Sequence, residues 1–409
     1  MVPKGWITKA LELTGVKVID GDRGKEYPKA SDFSGDGYCL FLSAKNVTKY
    51  GFQFNELQFI DAEKDKKLRK GRVKRSNIVL TTRGSVGHFA YYDASVPYDV
   101  MRINSGMVIL DADESDLEPN FLYALCRSFI VQKQIEAASF GSAQPQLTVG
   151  IVKGLKLPIP TLVEQKKIAQ ILSTWDKAIS VTEKLLTNSQ LQKKALMQQL
   201  LTGKKRLLNE NGGRFIGEWC TCTLSEVAHI IMGSSPKSEA YNDNGLGLPL
   251  IQGNADIKCR VSCPRVYTSD ITKECSPGDI LLSVRAPVGT VALSQHKACI
   301  GRGISAIKSK RKMSQSFLYQ WFLWFEPKWC YLSQGSTFES INSDDIKTLK
   351  LSVPNFEEQQ KIATVLSAAD DEIATLEKKL ACLKYEKKAL MQQLLTGKRR
   401  VKIDEAVAA

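Results

Sequence analysis

Histidine is scarce in this chain, and cysteine spacing of the metal-binding kind is missing. Only His88, His229 and His296 occur in 409 residues, and the ten cysteines contain no CxxC pair. Cys220 and Cys222 stand two apart, Cys259 and Cys263 four apart, and the rest are scattered. A zinc site draws on closely spaced thiolate and imidazole ligands, so no metal is expected, and reduced, mostly buried thiols are. No run of 18 apolar residues exists, which argues against a membrane-spanning helix. The opening stretch, MVPKGWITKALELTG, lacks an apolar signal core, so the expected location is the cytoplasm. No GxxxxGK[ST] phosphate loop is present, so nothing marks an ATPase. Negative charge is the minority sign: 57 Lys and Arg face 43 Asp and Glu, a net +14. That excess points to a polyanionic partner, nucleic acid ahead of a membrane.

What the chain does have is one stretch that occurs twice. Glu164–Leu207, EQKKIAQILSTWDKAISVTEKLLTNSQLQKKALMQQLLTGKKRL, aligns without a gap on Glu358–Val401 at an offset of 194 residues, and ALMQQLLTGK is identical in both. In the second copy Ile362, Leu366, Ala369, Ile373, Leu376, Leu380, Leu383, Leu390 and Leu394 follow steps of four and three, interrupted only at Lys387. That is a coiled-coil heptad. The first copy repeats the seam with a weaker middle: Ile168, Leu172, Trp175, Ile179, Thr182, Leu186, Ser189, Lys193, Leu196 and Leu200. Leu172, Ile179, Leu366, Ile373 and Leu380 are therefore expected to be structural. Gly203 and Gly397 stand where a helix C-cap belongs, followed by Lys204-Lys205-Arg206 and Lys398-Arg399-Arg400, cations that suit the end of a helix dipole. A helix over Glu164–Thr202 would be roughly 58 Å long.

The repeat extends upstream. Gly154–Pro160 answers Thr348–Pro354, each reading as a short strand before its helix. Phe121-Leu122-Tyr123 answers Phe317-Leu318-Tyr319 at an offset of 196, Asn77–Arg83 answers Asp279–Arg285 at 202, and Trp6 and Leu11 answer Trp219 and Leu224 at 213. Drifting offsets mean loop insertions on a shared fold. The reading is an α+β chain with a pseudo-twofold internal repeat: a mostly-β globular domain at 1–155, a spacer helix at 156–206, a second mostly-β domain at 207–350, and a second spacer helix at 351–409. A helix pair joined along its seams must then run antiparallel, with a globular domain at each end and the chain termini close together.

These motifs resemble the specificity subunit of type I restriction-modification systems over nearly the full length. The resemblance rests on EQKKIA and EQQKIA opening the helices, LLTGKKR and LLTGKRR closing them, and GDILLSVRAPVG at Gly278–Gly289. SNIVLTTRGSVG at Ser76–Gly87 departs from that last pattern in detail. The resemblance implies a non-catalytic subunit in which each target-recognition domain reads one half of a bipartite site in double-stranded DNA while the coiled coil sets the spacer. It further implies docking of two modification subunits, which methylate adenine with S-adenosylmethionine, and of restriction subunits. No cofactor is expected on this chain, and the isolated chain is expected to be inert. Consistent with that, no Asn/Asp-Pro-Pro-Tyr/Phe motif is present, and the paired acids Asp344-Asp345 and Asp370-Asp371 read as helix starts or solvated faces rather than metal ligands. Other readings stay open: the specificity subunit of a fused restriction-methylation system, a self-sufficient DNA-modifying enzyme, or a coiled-coil scaffold without a DNA role.

Candidate DNA contacts follow from chemistry. Phosphates call for cations, here Lys66, Lys67, Arg69, Lys70, Arg72, Lys74 and Arg75 in the first domain and Lys308, Lys310, Arg311 and Lys312 in the second. Bases favour arginine on guanine and an amide on adenine. Arg83 and Arg285 occupy matched loops before Val86-Gly87 and Val288-Gly289, while Gln144, Gln146, Thr337 and Glu339 lie in a second matched loop. Asn46 and Asn254 sit in similarly placed segments. At each of these positions a turn-stabilising amide, or an arginine paired with a buried acid, is the competing reading.

Overall fold

A computed structural model of the protein describes residues 2–139, 146–329 and 340–402. The chain divides into two compact units, one of residues 1–182 with 379–409 and one of residues 183–378. The two long helices run Leu162–Leu200 and Phe356–Leu394, 39 residues each, so each unit holds one half of either helix.

In the first unit, the short strand Ile7–Ala10 pairs antiparallel with Lys156–Ile159, which leads directly into the first long helix. Two four-stranded sheets follow. One has Lys17–Asp20, Met107–Asp111, Ile78–Thr81 and Phe89–Tyr91 in that spatial order; the other has Phe59–Ile60, Cys39–Leu42, Met101–Ile103 and Arg72–Val73, with one parallel pairing between its two central strands. Helices Pro119–Cys126 and Phe129–Ser139 pack on the first sheet, the one through Phe121, Leu122 and Leu125 and the other through Val131 and Ile135, all buried. The second unit repeats the plan. Cys220–Thr223 pairs with Lys350–Val353, and its two sheets carry six and five strands, centred on Ile280–Ser283 and on Leu248–Ile251 paired parallel with Ala298–Ile300.

The helix halves are antiparallel within each unit, and the polar contacts recur at the sequence offset of 194. In the first unit Glu164 accepts from Arg400 at 2.6 Å and Asp176 pairs with Lys387. In the second, Glu358 accepts two bonds from Arg206, both at 2.6 Å, and Asp370 pairs with Lys193. The lysine that interrupts the apolar seam is thus a cross-helix partner. Burial pushes the Lys387 ammonium below its ordinary pKa, and Asp176 opposes that shift. Buried charge is tolerable only with such a partner. Each helix is also tied to its own β domain: the Gln165 carboxamide accepts from Glu118 N at 2.9 Å, and that of Gln359 from Ser314 N at 2.9 Å. Leu172 and Leu366 are buried, and Ile179, Ile373 and Leu380 are half-buried. Gly203 and Gly397 both adopt φ +70°, the left-handed cap conformation. Two segments far apart in sequence meet in the first unit, where Arg400 Nη1 donates to Lys4 O at 3.0 Å.

Two expectations need revision. Asp344 and Asp345 do begin a helix, Ser343–Lys347, but Asp370, though its side chain is 39% exposed, is also a seam partner, bonded by Lys193 and by Gln320 Nε2 at 2.8 Å. The described cysteines are free thiols, yet only Cys39, Cys126, Cys275 and Cys299 among them are buried, and the others reach the surface. Edge strands such as Cys220–Thr223 and hairpin tips such as Cys259 have one face in water, so an apolar thiol there is not drawn inside.

Candidate nucleic-acid interface

The same loop is built once in each unit, at the end of a central buried strand. In the first unit the Thr81 hydroxyl donates to Ser85 O and accepts from His88 N at 3.0 Å. In the second, the Ser283 hydroxyl donates to Pro287 O at 2.6 Å and accepts from Thr290 N at 3.2 Å. A buried hydroxyl thus folds each loop back on its strand. The glycine of each Val-Gly pair follows at positive φ, +85° for Gly87 and +88° for Gly289. A Cβ on Gly289 would lie 2.6 Å from Trp329 Cβ, and one on Gly87 would lie 3.1 Å from Ile135 Cγ2. Backbone conformation and close packing together require glycine there. The loop so held leaves Arg83 and Arg285 exposed.

Three segments converge on each arginine. Arg83 forms a β-bridge with Gln146, and Arg285 one with Ser340. With the Gln146 carboxamide turned so that its oxygen faces the guanidinium, it accepts from Arg83 Nη2 at 3.0 Å and Nε at 3.2 Å. That fork pre-orders the arginine on its exposed loop. The third segment is a turn between strands: Thr82 N donates to Gly106 O at 2.8 Å in the first unit, and Val284 N to Gly303 O at 2.9 Å in the second. Sequence reading passed over the cations at these turns. Arg302 is exposed between Gly301 and Gly303, and Arg23 donates to Ser105 O at 3.2 Å. The available signal was a cation flanked closely by glycines between two apolar runs.

The remaining candidates divide. Gln144, Thr337 and Glu339 lie outside the described residues. Asn46 is corrected: it is buried, its oxygen accepts from Ser43 N at 2.9 Å, and its nitrogen donates to Gln53 O at 3.1 Å and Glu56 O at 2.8 Å. It shapes the loop beside Gly84 and has nothing left for a base. Its counterpart in the second unit is Asp256, which accepts from Gln252 N at 2.9 Å, rather than Asn254, which starts the same turn half-buried.

Among the basic runs, Lys66, Lys67, Arg69, Lys70 and Lys74 are exposed. Arg75 is corrected: its guanidinium donates to Val96 O at 3.1 Å, pairs with Asp99 at 2.8 Å and lies 4.1 Å over the Tyr92 ring. Arg72 is shared with Asp65 at 3.3 Å, an acid whose main partner is the buried Arg102. Lys310 is corrected too, since its ammonium bonds Ser225 O. Lys308 and Arg311 are exposed but sit at the far end of strand Ile304–Ser309 from Arg285, because Ser283 pairs with Ile304. The second basic run and the second arginine loop are therefore separate features of that unit. Among the described residues no group of three His, Cys, Asp or Glu is placed to hold a metal, and no helix is long and apolar enough to cross a membrane.

A basic chain that repeats a β-rich unit, each copy holding an exposed arginine loop and tied to a long helix, defines a tandem nucleic-acid-recognition protein. Residues 5–191 and 216–385 match the family model for the type I restriction modification DNA specificity domain. The chain belongs to that family and is a type I restriction-modification specificity subunit, a non-catalytic DNA-recognition component. Its relatives include the MjaX specificity subunit of Methanocaldococcus jannaschii, 33% identical over 88% of this chain and 86% of that one. The MjaVIII specificity subunit of the same organism is 26% identical over 73% of this chain and 75% of its own. The S subunit of a type I system from M. genitalium shares the fold, with a TM-score of 0.64 at 15% identity over 98% of this chain and 97% of that one. A chain solved in a study of type I complex assembly and conformational transition gives a TM-score of 0.58 at 23% identity, covering 97% and 98%.

Proposed function

We propose that each unit reads one half of a bipartite, asymmetric target in double-stranded DNA, with residues 1–155 and 207–350 as the recognition domains and the paired helices setting the spacer. The protein assembles with modification and restriction subunits. The pseudo-twofold repeat favours two modification subunits, which supply adenine methylation; in this proposal the protein works where its DNA is, in the cytoplasm. Arg83 with Gln146, and Arg285 with its neighbour Arg302, are the base-reading groups of this proposal. Lys66, Lys67, Arg69, Lys70, Arg72 and Lys74, and in the second unit Lys308, Arg311 and Lys312, serve the phosphates.

The observation that carries this reading is the matched loop with unlike surroundings. The same hydroxyl-and-glycine scaffold presents an arginine twice, beside Gln146 and Ser105 in one unit and beside Ser340 and Arg302 in the other. A conserved frame with different side chains at its rim suits two different half-sites. The test is methylation mapping on the complex assembled with modification subunits. Arg83→Ala and Arg285→Ala should each relax discrimination in one half-site by about 1–3 kcal/mol and leave the other unchanged. If both variants alter the same half-site, or neither alters any base while binding persists, the reading fails.

A further inference from the structure

The repeat breaks at one cation. In the first unit the two-residue turn Lys49–Tyr50 joins strands Val47–Thr48 and Gly51–Phe52. The second unit has the same turn, Cys259–Arg260, between Ile257–Lys258 and Val261–Ser262. Each turn carries one positive side chain, but the two differ in what they face. Arg260 Nη1 donates to Glu326 Oε1 at 2.6 Å and to Val291 O at 3.1 Å, and Glu326 also accepts from Val291 N at 3.2 Å. The turn holds Cys259 and Arg260 at φ +49° and +65°, a region costly for residues with a Cβ. The ion pair and the bond from Leu293 N to Arg260 O, 2.9 Å, hold it there.

Lys49 has no carboxylate partner among the described residues. Its ammonium lies 5.0 Å from the Tyr50 ring centroid, and Glu56 in the segment beyond is taken by Lys45 at 2.6 Å. The turn opens instead on a cleft of about 540 Å³ that also contains Gly84, His88, Arg127, Gln132 and Glu136. Arg127 is half-buried, 5.1 Å over the Tyr123 ring. His88 keeps Nδ1 buried without a hydrogen-bond partner among the described residues, whereas Gln132 Nε2 is committed to Gly87 O at 3.1 Å. Among the described residues, Glu136 is the single acid in the lining. In the second unit the space beside the matched glycine is filled: Trp329 is fully buried there, against Gly289 and stacked on Phe322 at 6.4 Å.

We propose that the first-unit cleft holds a backbone phosphate of bound DNA between Lys49 and Arg127, and that the second unit lacks this clamp because Glu326 neutralises Arg260 and Trp329 fills the space. This rests on the DNA-recognition reading above. A phosphate suits the site because the cleft borders Gly84, next to Arg83, so a strand read at Arg83 passes its backbone along the cations. The clamp carries no sequence information; it adds affinity and salt dependence to one half-site only.

The test measures affinity of the complete complex with modification subunits for a duplex carrying the mapped target, from about 50 to 200 mM salt. Lys49→Gln, at an exposed turn, should lower the magnitude of the log–log salt slope by about one, weaken target and non-target duplex alike, and leave methylated sequences unchanged. Arg127→Gln should act in the same direction. Arg260→Gln should leave the slope as it is, and Glu326→Gln, which frees Arg260, should raise its magnitude. An unchanged slope in both first-unit variants, with selective binding intact, overturns the clamp alone. So does a change in the methylated bases, which would make Lys49 a base reader. Absence of selective binding by the wild-type complex would instead overturn the DNA-recognition reading.

Discussion

Removing the charge of Glu358 tests whether the repeated ion pairs hold the start of each long helix to the basic tail of the other. Glu358 is fully buried at the start of the second long helix, and Arg206 closes on it with two bonds of 2.6 Å while keeping 23% of its own surface in water. Charge-assisted bonds contribute about 1.5–3 kcal/mol each. Glutamine keeps one acceptor and turns its NH2 toward the guanidinium, so Glu358→Gln should cost about 2–4 kcal/mol, near the range for breaking a buried pair. Its counterpart should cost less. Arg400 is 45% exposed opposite Glu164, so water screens and replaces part of that interaction. Glu164→Gln should cost about 1 kcal/mol.

Tryptophan fluorescence suits the measurement, since Trp219, Trp321, Trp324 and Trp329 lie in the second unit and Trp6 and Trp175 in the first. A loss of about 3 kcal/mol lowers the midpoint of a domain of this size by roughly 6–12 °C. Replacing both partners by apolar residues, Arg206→Met with Glu358→Leu, should recover most of that loss, because no buried charge is left alone. The reasoning is refuted if Glu358→Gln melts within about 0.5 kcal/mol of wild type, or if Glu164→Gln is the more damaging change.

Four further outcomes are expected. Four residues inserted before Ala195 add about 6 Å of helix; at about 3.4 Å per base pair, mapped methylation sites should show unchanged half-sites and a spacer longer by one to two base pairs. Gly289→Ala should destabilise the second unit by more than the 1–2 kcal/mol that left-handed backbone alone costs, and more than Gly87→Ala costs the first, as chemical denaturation would show. Burial raises the Tyr319 phenol to about 12, so between pH 10 and about 12 only the unfolded chain ionises it and stability falls as pH rises; Tyr319→Phe should flatten that part of the stability–pH curve. An open groove of about 230 Å³ lies beside Ala369 and Ala368 between the helix halves of the second unit, where the first unit has Trp175 and Thr174. Ala369→Trp should fill it and stabilise by about 1 kcal/mol, read from the same melting curves.

The repeat was legible in the sequence because its signals are local and periodic. A helix states its length through a 3–4 apolar rhythm, its end through Gly203 and Gly397, and its duplication through an unbroken offset, so both 39-residue helices and their antiparallel sense needed no coordinates. The Val-Gly loops were likewise visible, since a backbone that must turn left-handed leaves a glycine behind. Side-chain destinations were decided only by tertiary structure. Lys387 reads as a break in a seam until Asp176, 211 positions away, is brought against it. Asn46 reads as a free amide until Ser43, Gln53 and Glu56 use every bond it can make. Lys49 and Arg260 occupy the same turn of the same fold, yet one faces an open cleft and the other a carboxylate 66 residues on. Whether a charged or polar group is structural or available to a ligand depends on desolvation and pairing. Both are set by chain segments far apart in sequence, which only the folded chain brings together.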